Sequence, residues 1–270
     1  MSLSKRFGAF GVAAATLFTA ATVMAVGPGA AQATADRGAK PTVVLVHGAF
    51  ADSGGWSGVT RQLLDDGYPV VAAANPLRGV AHDAAQVKAL LQSIDGPIVL
   101  VGHSYGGSVI STAATGNPNV KALVYVAGLA PEKGESANEL VSMFDGSTLP
   151  EALRPVPLLD GNVDLYIDQK LFHKQFGADV PAREAALMAV TQRPIMAAAG
   201  DEGAGEPAWR SIPTYHLIAE RDVTIPPATQ RFVAERANGV IKSVDASHAV
   251  FVSQPETTAA FIKRAARETA

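Results

Sequence analysis

Not one of the 270 residues is cysteine. That excludes disulfide staples, a thiolate nucleophile and cysteine-ligated zinc, and it leaves the fold to rest on its packed core alone. Charge is also sparse. Asp, Glu, Lys and Arg make up 17% of the chain and the formal net charge is −3, so there is no basic excess to draw it onto phosphate backbones or anionic membranes, and nucleic acid is not an expected partner. No His-Glu-x-x-His occurs, and no His and Asp cluster at ligand spacing, so no metal site is expected. What the sequence does have is 48% hydrophobic residues, enough for one full core carrying an insertion.

The first residues differ from everything after them. Lys5 and Arg6 precede an uncharged stretch from Phe7 to Val26, followed by Gly27, Pro28, Gly29 and the small-x-small pattern Ala31-Gln32-Ala33. This order predicts a signal peptide over residues 1–33, cleavage after Ala33 and a secreted product with no stable membrane insertion. The alternative is an uncleaved anchor, disfavoured because the run is rich in Ala, Gly and Thr rather than Leu and Ile.

From Lys40 onward, short β-branched runs alternate with longer helical patterns, the signature of an α/β fold with a mostly parallel sheet. Strands are expected at Thr42 to Val46, Val70 to Ala73, Ile98 to Val101, Val120 to Val126, Thr214 to Ile218 and Val240 to Val244. Helices are expected at Trp56 to Asp66, Asp83 to Ser93, Gly106 to Thr115, Pro227 to Ala237 and Thr257 to Glu268. The rhythm breaks between Pro131 and Pro207. Residues 131–207 read as a helical lid inserted into a core made of 34–130 and 208–270, with helices at Asn138 to Phe144, Val163 to Phe176 and Pro181 to Val190 and no convincing strand.

Gly102-His103-Ser104-Tyr105-Gly106-Gly107 carries the strongest chemical signal. A buried strand precedes it, a helix follows, and glycines flank a central serine, as a nucleophile on a sharp strand-to-helix turn requires. The amide of Tyr105 then stands at a helix N-terminus, ready to donate to a developing oxyanion. A serine hydroxyl needs a base. Of six histidines, His47 ends the first strand, His82 starts a helix, His103 lies inside the elbow, His173 is in the insertion and His216 is inside a strand. His248 alone sits on a loop after the last strand, and is the expected general base. The orienting acid is expected after the preceding strand, where Asp222 is better placed than Glu220, the fallback. The second oxyanion donor is expected from the amide of Ala49, after the first strand, with Phe50 and Trp56 as candidate pocket walls.

His47-Gly48-Ala49 with Gly54-Gly55-Trp56, Gly102-His103-Ser104 with Gly106-Gly107, Asp222 with Ile225-Pro226, and His248 with Ser253 and Pro255 together resemble the α/β-hydrolase superfamily. The chain is most similar to the branch of plant methylesterases, hydroxynitrile lyases and bacterial pyrethroid-hydrolase-type esterases, although the first loop carries one extra residue before Trp56. The resemblance implies a metal-free and cofactor-free hydrolase acting on a small-molecule ester. Lyases of this branch carry Thr and Lys where this chain has Gly48 and Ala249, which favours the esterase. Two alternatives stand beside it: the same triad working on amide, lactone, carbon–carbon or peroxyacid substrates, and a slow-turnover ligand-binding or receptor protein.

Overall fold

Uninterrupted β-branched runs suit strands covered on both faces, and here they build the sheet that positions everything else. The computed structural model describes residues 40–269, so the expected export signal over residues 1–33 lies outside the described residues. In chain order the strands are β1 (Thr42–Val46), β2 (Val70–Ala73), β3 (Ile98–His103), β4 (Val120–Val126), β5 (Leu153–Pro157), β6 (Val163–Ile167), β7 (Ile195–Met196), β8 (Thr214–Ala219) and β9 (Val240–Val244). Six of them pair in parallel in the order β2-β1-β3-β4-β8-β9. Every residue of β3 and β8 is buried, and each aliphatic side chain so enclosed stabilises the fold by roughly 2 kcal/mol. The chain steps from β1 outward to β2 and then crosses back to β3 on the other side of β1. That reversal opens a crevice beyond the carboxyl ends of β1 and β3, where open α/β sheets place their ligands.

Amphipathic helices cover the sheet. The last one, Pro255–Glu268, buries Thr258, Ala259, Phe261, Ile262, Ala265 and Ala266 along one stripe and starts with proline, whose missing amide hydrogen costs nothing at that position. It packs against the helix Ser57–Asp65, and Val80–Gln92 packs against Gly106–Ala113. Strands and helices of this core fall where the sequence pattern puts them, within three residues at each end.

The stretch between β4 and β8 differs from its expectation. Helices occur at Ala137–Ser142, Gln169–Phe176 and Ala182–Thr191, but Val163–Ile167, expected to open a helix, is a strand. It lies between β5 and β7 in a small antiparallel sheet. The physical reason is local. Val163, Leu165 and Ile167 alternate with Asp164 and Tyr166, and Asp168 then caps the following helix by accepting from the amide of Lys170 at 2.8 Å.

One buried group sets a pH dependence on this core. His216 of β8 lies flat on Tyr125 of β4, 4.6 Å between ring centres, and burial pushes its pKa down from 6.5 to about 3. The folded protein therefore excludes a proton that the unfolded chain accepts, so stability is full above pH 6.5 and is lost as pH falls toward 3. Replacing His216 with Phe keeps the stacked ring and removes the titration. Between neutrality and about pH 5 the unfolding free energy of His216→Phe should fall by about 2 kcal/mol less than that of the parent, measured by urea denaturation at both pH values.

Candidate active site

The turn between β3 and the helix Gly106–Ala113 holds Ser104 at φ +55°, a conformation that costs any residue with a side chain. The turn is possible because its neighbours have none. A Cβ on Gly106 would lie 2.6 Å from the carbonyl oxygen of Val46, and one on Gly48 would lie 2.6 Å from Ser104 Cβ and 3.2 Å from its Oγ. The loop after β1 is thus pressed against the serine. It is fixed there by His47, whose Nε2 accepts from the amide of Asn75 at 3.0 Å, leaving Nδ1–H to donate to the carbonyl of Gly48 at 3.0 Å. Burial holds the pKa of His47 below its usual value, consistent with that neutral tautomer.

Ala49, Phe50, Ser104 and Tyr105 line one cavity of ≈80 Å³, closed by Leu129 and Ile225 among others. Among the described residues, neither the amide of Ala49 nor that of Tyr105 donates to a protein acceptor. Both residues line the cavity that holds Ser104, so their amides are the candidates for stabilising an oxyanion. The side chain of Tyr105 points elsewhere and donates to Asp83 Oδ2 at 3.0 Å. Burial, then the Asp83 charge, push the phenol pKa upward and keep that proton in place.

Asp222 and His248 meet directly. His248 Nδ1 lies 2.6 Å from Asp222 Oδ2, and both side chains are fully enclosed. A buried carboxylate is costly unless its lone pairs are filled. Here they are: Oδ1 accepts from the amides of Thr224 at 2.7 Å and Ile225 at 3.0 Å, and Oδ2 also accepts from Gln230 Nε2 at 2.8 Å. Glu220 takes no part, being paired with Arg231 at 2.6 Å.

Among the described residues, the far nitrogen of the ring, His248 Nε2, is buried with no hydrogen-bond partner. It therefore makes no bond to Ser104 Oγ. His103, next to Ser104 in the chain, bridges the two groups. Its Nε2–H donates to the carbonyl of His248 at 3.0 Å, with ring centres 4.6 Å apart. Burial, and then the neighbouring His248, hold the pKa of His103 well below the ordinary value, so it stays neutral. The loop of His248 is gripped from the insertion as well. The carbonyl of Phe176 accepts from the amide of Ala249 at 2.9 Å, and Asp179 accepts from both the amide and hydroxyl of Ser247.

One expected pocket residue is displaced. Trp56 does not line the cavity at Ser104. It is 0% exposed and packs on Phe251, 4.5 Å between ring centres, and edge-on to His103. An indole at the start of a core-facing helix finds more contact behind the site than in it. Conversely, Gln230 and the His103 bridge escaped the sequence reading. Gln230 carries one trace in the sequence, a polar side chain on the inner face of the helix Pro227–Arg236.

Residues 43–261 match the model of the Alpha/beta hydrolase family. The chain belongs to that family. This α/β hydrolase is 26% identical to a pyrethroid hydrolase of Sphingobium wenxiniae over 80% of the chain and 84% of that protein. It is 27% identical to methylesterase 7 of Arabidopsis thaliana over 84% of the chain and 96% of the relative. The crystal structure of a pyrethroid hydrolase from Sphingobium faniae superposes with a TM-score of 0.70 at 23% identity, covering 84% of the chain and 97% of that structure. The α/β hydrolase described here thus has esterases among its relatives and shares their fold.

Gln230 makes the acid loop testable. It donates to Asp222 and to the carbonyl of Ile225, and accepts from the amide of Ala219 at 3.0 Å. Gln230→Leu strands three buried polar groups and should lower the unfolding free energy by roughly 3 kcal/mol in chemical denaturation. A change within ±0.5 kcal/mol would show that Asp222 is held without it.

Proposed function

We propose that this α/β hydrolase is a secreted carboxylesterase working through Ser104, His248 and Asp222 with an acyl-enzyme intermediate. Ser104 attacks the ester carbonyl as His248 Nε2 takes its proton, and Asp222 holds the imidazole in the right tautomer and stabilises the imidazolium. The oxyanion rests on the amides of Ala49 and Tyr105. His248 then gives its proton to the leaving alcohol, and a water molecule repeats the sequence to release the acid. The observation that carries this reading is the 2.6 Å bond between Asp222 and His248, whose remaining nitrogen has no partner among the described residues, with His248 joined through its carbonyl to His103, the residue before a serine held at positive φ. The esterases and methylesterases among the relatives support an ester over an amide or lactone. Gly48 and Ala249, in place of a hydroxyl and a cation, argue against cyanohydrin chemistry. Secretion is proposed on the order of Lys5, Arg6, the uncharged stretch and Ala31-Gln32-Ala33. The mass of the protein recovered from the culture medium should match a chain beginning at Thr34.

Ser104→Ala should abolish fluorophosphonate labelling and ester hydrolysis while leaving the melting temperature within a few degrees. Turnover of short p-nitrophenyl esters at the parental rate would refute the nucleophile. Gly48→Ala pushes a methyl group into Ser104 and displaces the amide of Ala49. One oxyanion donor contributes about 3 kcal/mol, so kcat should fall on the order of a hundred-fold.

A further inference from the structure

Two cavities share one aromatic lining residue. The chamber at Ser104, ≈80 Å³, is far smaller than the roughly 300–1,000 Å³ that encloses an ordinary organic ligand. A second cleft of ≈510 Å³ has walls from the loop 50–58, the helix Ala182–Thr191 and the segment carrying Val252 and Pro255. Among the described residues, Phe50 is the one lining both. It is 4% exposed and sits at φ +62°, a conformation that bulky residues adopt only where the surroundings impose it. Its amide donates to the carbonyl of Arg193 in the insertion at 3.0 Å, which ties the partition to the wall opposite.

The outer cleft has a definite chemistry. Glu184, Leu187, Met188, Thr191 and Gln192 form its insertion side, and Leu187, 60% exposed, offers an apolar surface that a ligand would cover. Arg61 on the wall is offset by Asp52 and Glu184, so an anionic group gains no net attraction there. Val252 and Pro255 follow His248 in the chain, which sets the cleft beside the segment carrying the base.

We propose that the cleft is the subsite for the larger apolar or aromatic group of a neutral ester, that the chamber takes the smaller group, and that Phe50 is the specificity-determining partition the ester linkage spans. The proposal rests on the esterase reading above. Because Phe50 directly follows Ala49, a group seated in the cleft bears on an oxyanion donor, so its effect reaches turnover as well as binding.

The experiment compares ethyl acetate with 1-naphthyl acetate, and 1-naphthyl acetate with 1-naphthyl hexanoate, using the full chain and fluorophosphonate labelling of Ser104 as a control. Leu187→Trp, at an exposed position that leaves the core intact, fills the cleft. It should lower the kcat/KM ratio of 1-naphthyl to ethyl acetate about ten-fold, most of it in KM. Phe50→Leu joins the two spaces and should raise the ratio of hexanoate to acetate by about ten-fold. Normal labelling with both ratios unchanged overturns the cleft and leaves the esterase standing. A parent protein that neither labels nor hydrolyses any of these esters overturns the esterase reading, and this proposal with it.

Discussion

A carboxylate withdrawn from water must have its lone pairs filled, and around Asp222 that requirement organises much of the molecule. Two donors come from its own loop, one from the helix that follows, and one from a histidine 26 residues later. Loss of any one leaves the others around an under-solvated charge, so the acid loop, the helix Pro227–Arg236 and the loop after β9 hold one another in register. The insertion joins this arrangement through Gln175, which donates to the carbonyl of Val223 and accepts from Thr148. The same stretch of chain grips the residues on either side of His248. The geometry of the imidazole is therefore a property of three elements packed together, none of which fixes it alone.

The turn at Ser104 obeys a second constraint, steric where the first is electrostatic. Gly48 and Gly106 let two loops approach within a distance that any Cβ forbids. Ala49 and Tyr105 both line the cavity beside that turn. The approach is held by neutral hydrogen bonds from His47 and Asn75, which add no charge beside the hydroxyl.

The core sheet was legible in the sequence because its strands are buried on both faces and read as continuous β-branched runs, as in Ile98 to Val101. The sharp turn that holds Ser104 was legible from glycine spacing at a strand end, and the pairing of Asp222 with His248 from chain order. Three features were hidden. The antiparallel strands of the insertion are short and irregular: β5 carries Pro155 and Pro157, tolerated because it is an edge strand, and β7 has two residues. Trp56 reads equally well as pocket or core, since an aromatic side chain has no polarity pattern to decide which side it faces. Gln230 and His103 act through contacts between segments far apart in the chain, which no local pattern encodes.

The buried histidines explain why the chemistry converges on one of them. His47, His103, His216 and His248 are each no more than 2% exposed. Burial lowers the pKa of the first three. His47 faces a backbone amide and a carbonyl, His103 faces a carbonyl, and His216 faces a tyrosine ring. Only His248 of the four faces a carboxylate. A cation formed on its ring gains a full opposite charge at 2.6 Å in a medium that screens poorly, whereas one on His103 would gain only a dipole. Neutral His103 is also what allows His248 to be approached so closely, since a second cation with ring centres 4.6 Å apart would repel it. The fold thus surrounds the one carboxylate-paired imidazole of the four with others held neutral, and in the proposed reaction Asp222 faces the ring that takes the proton from Ser104.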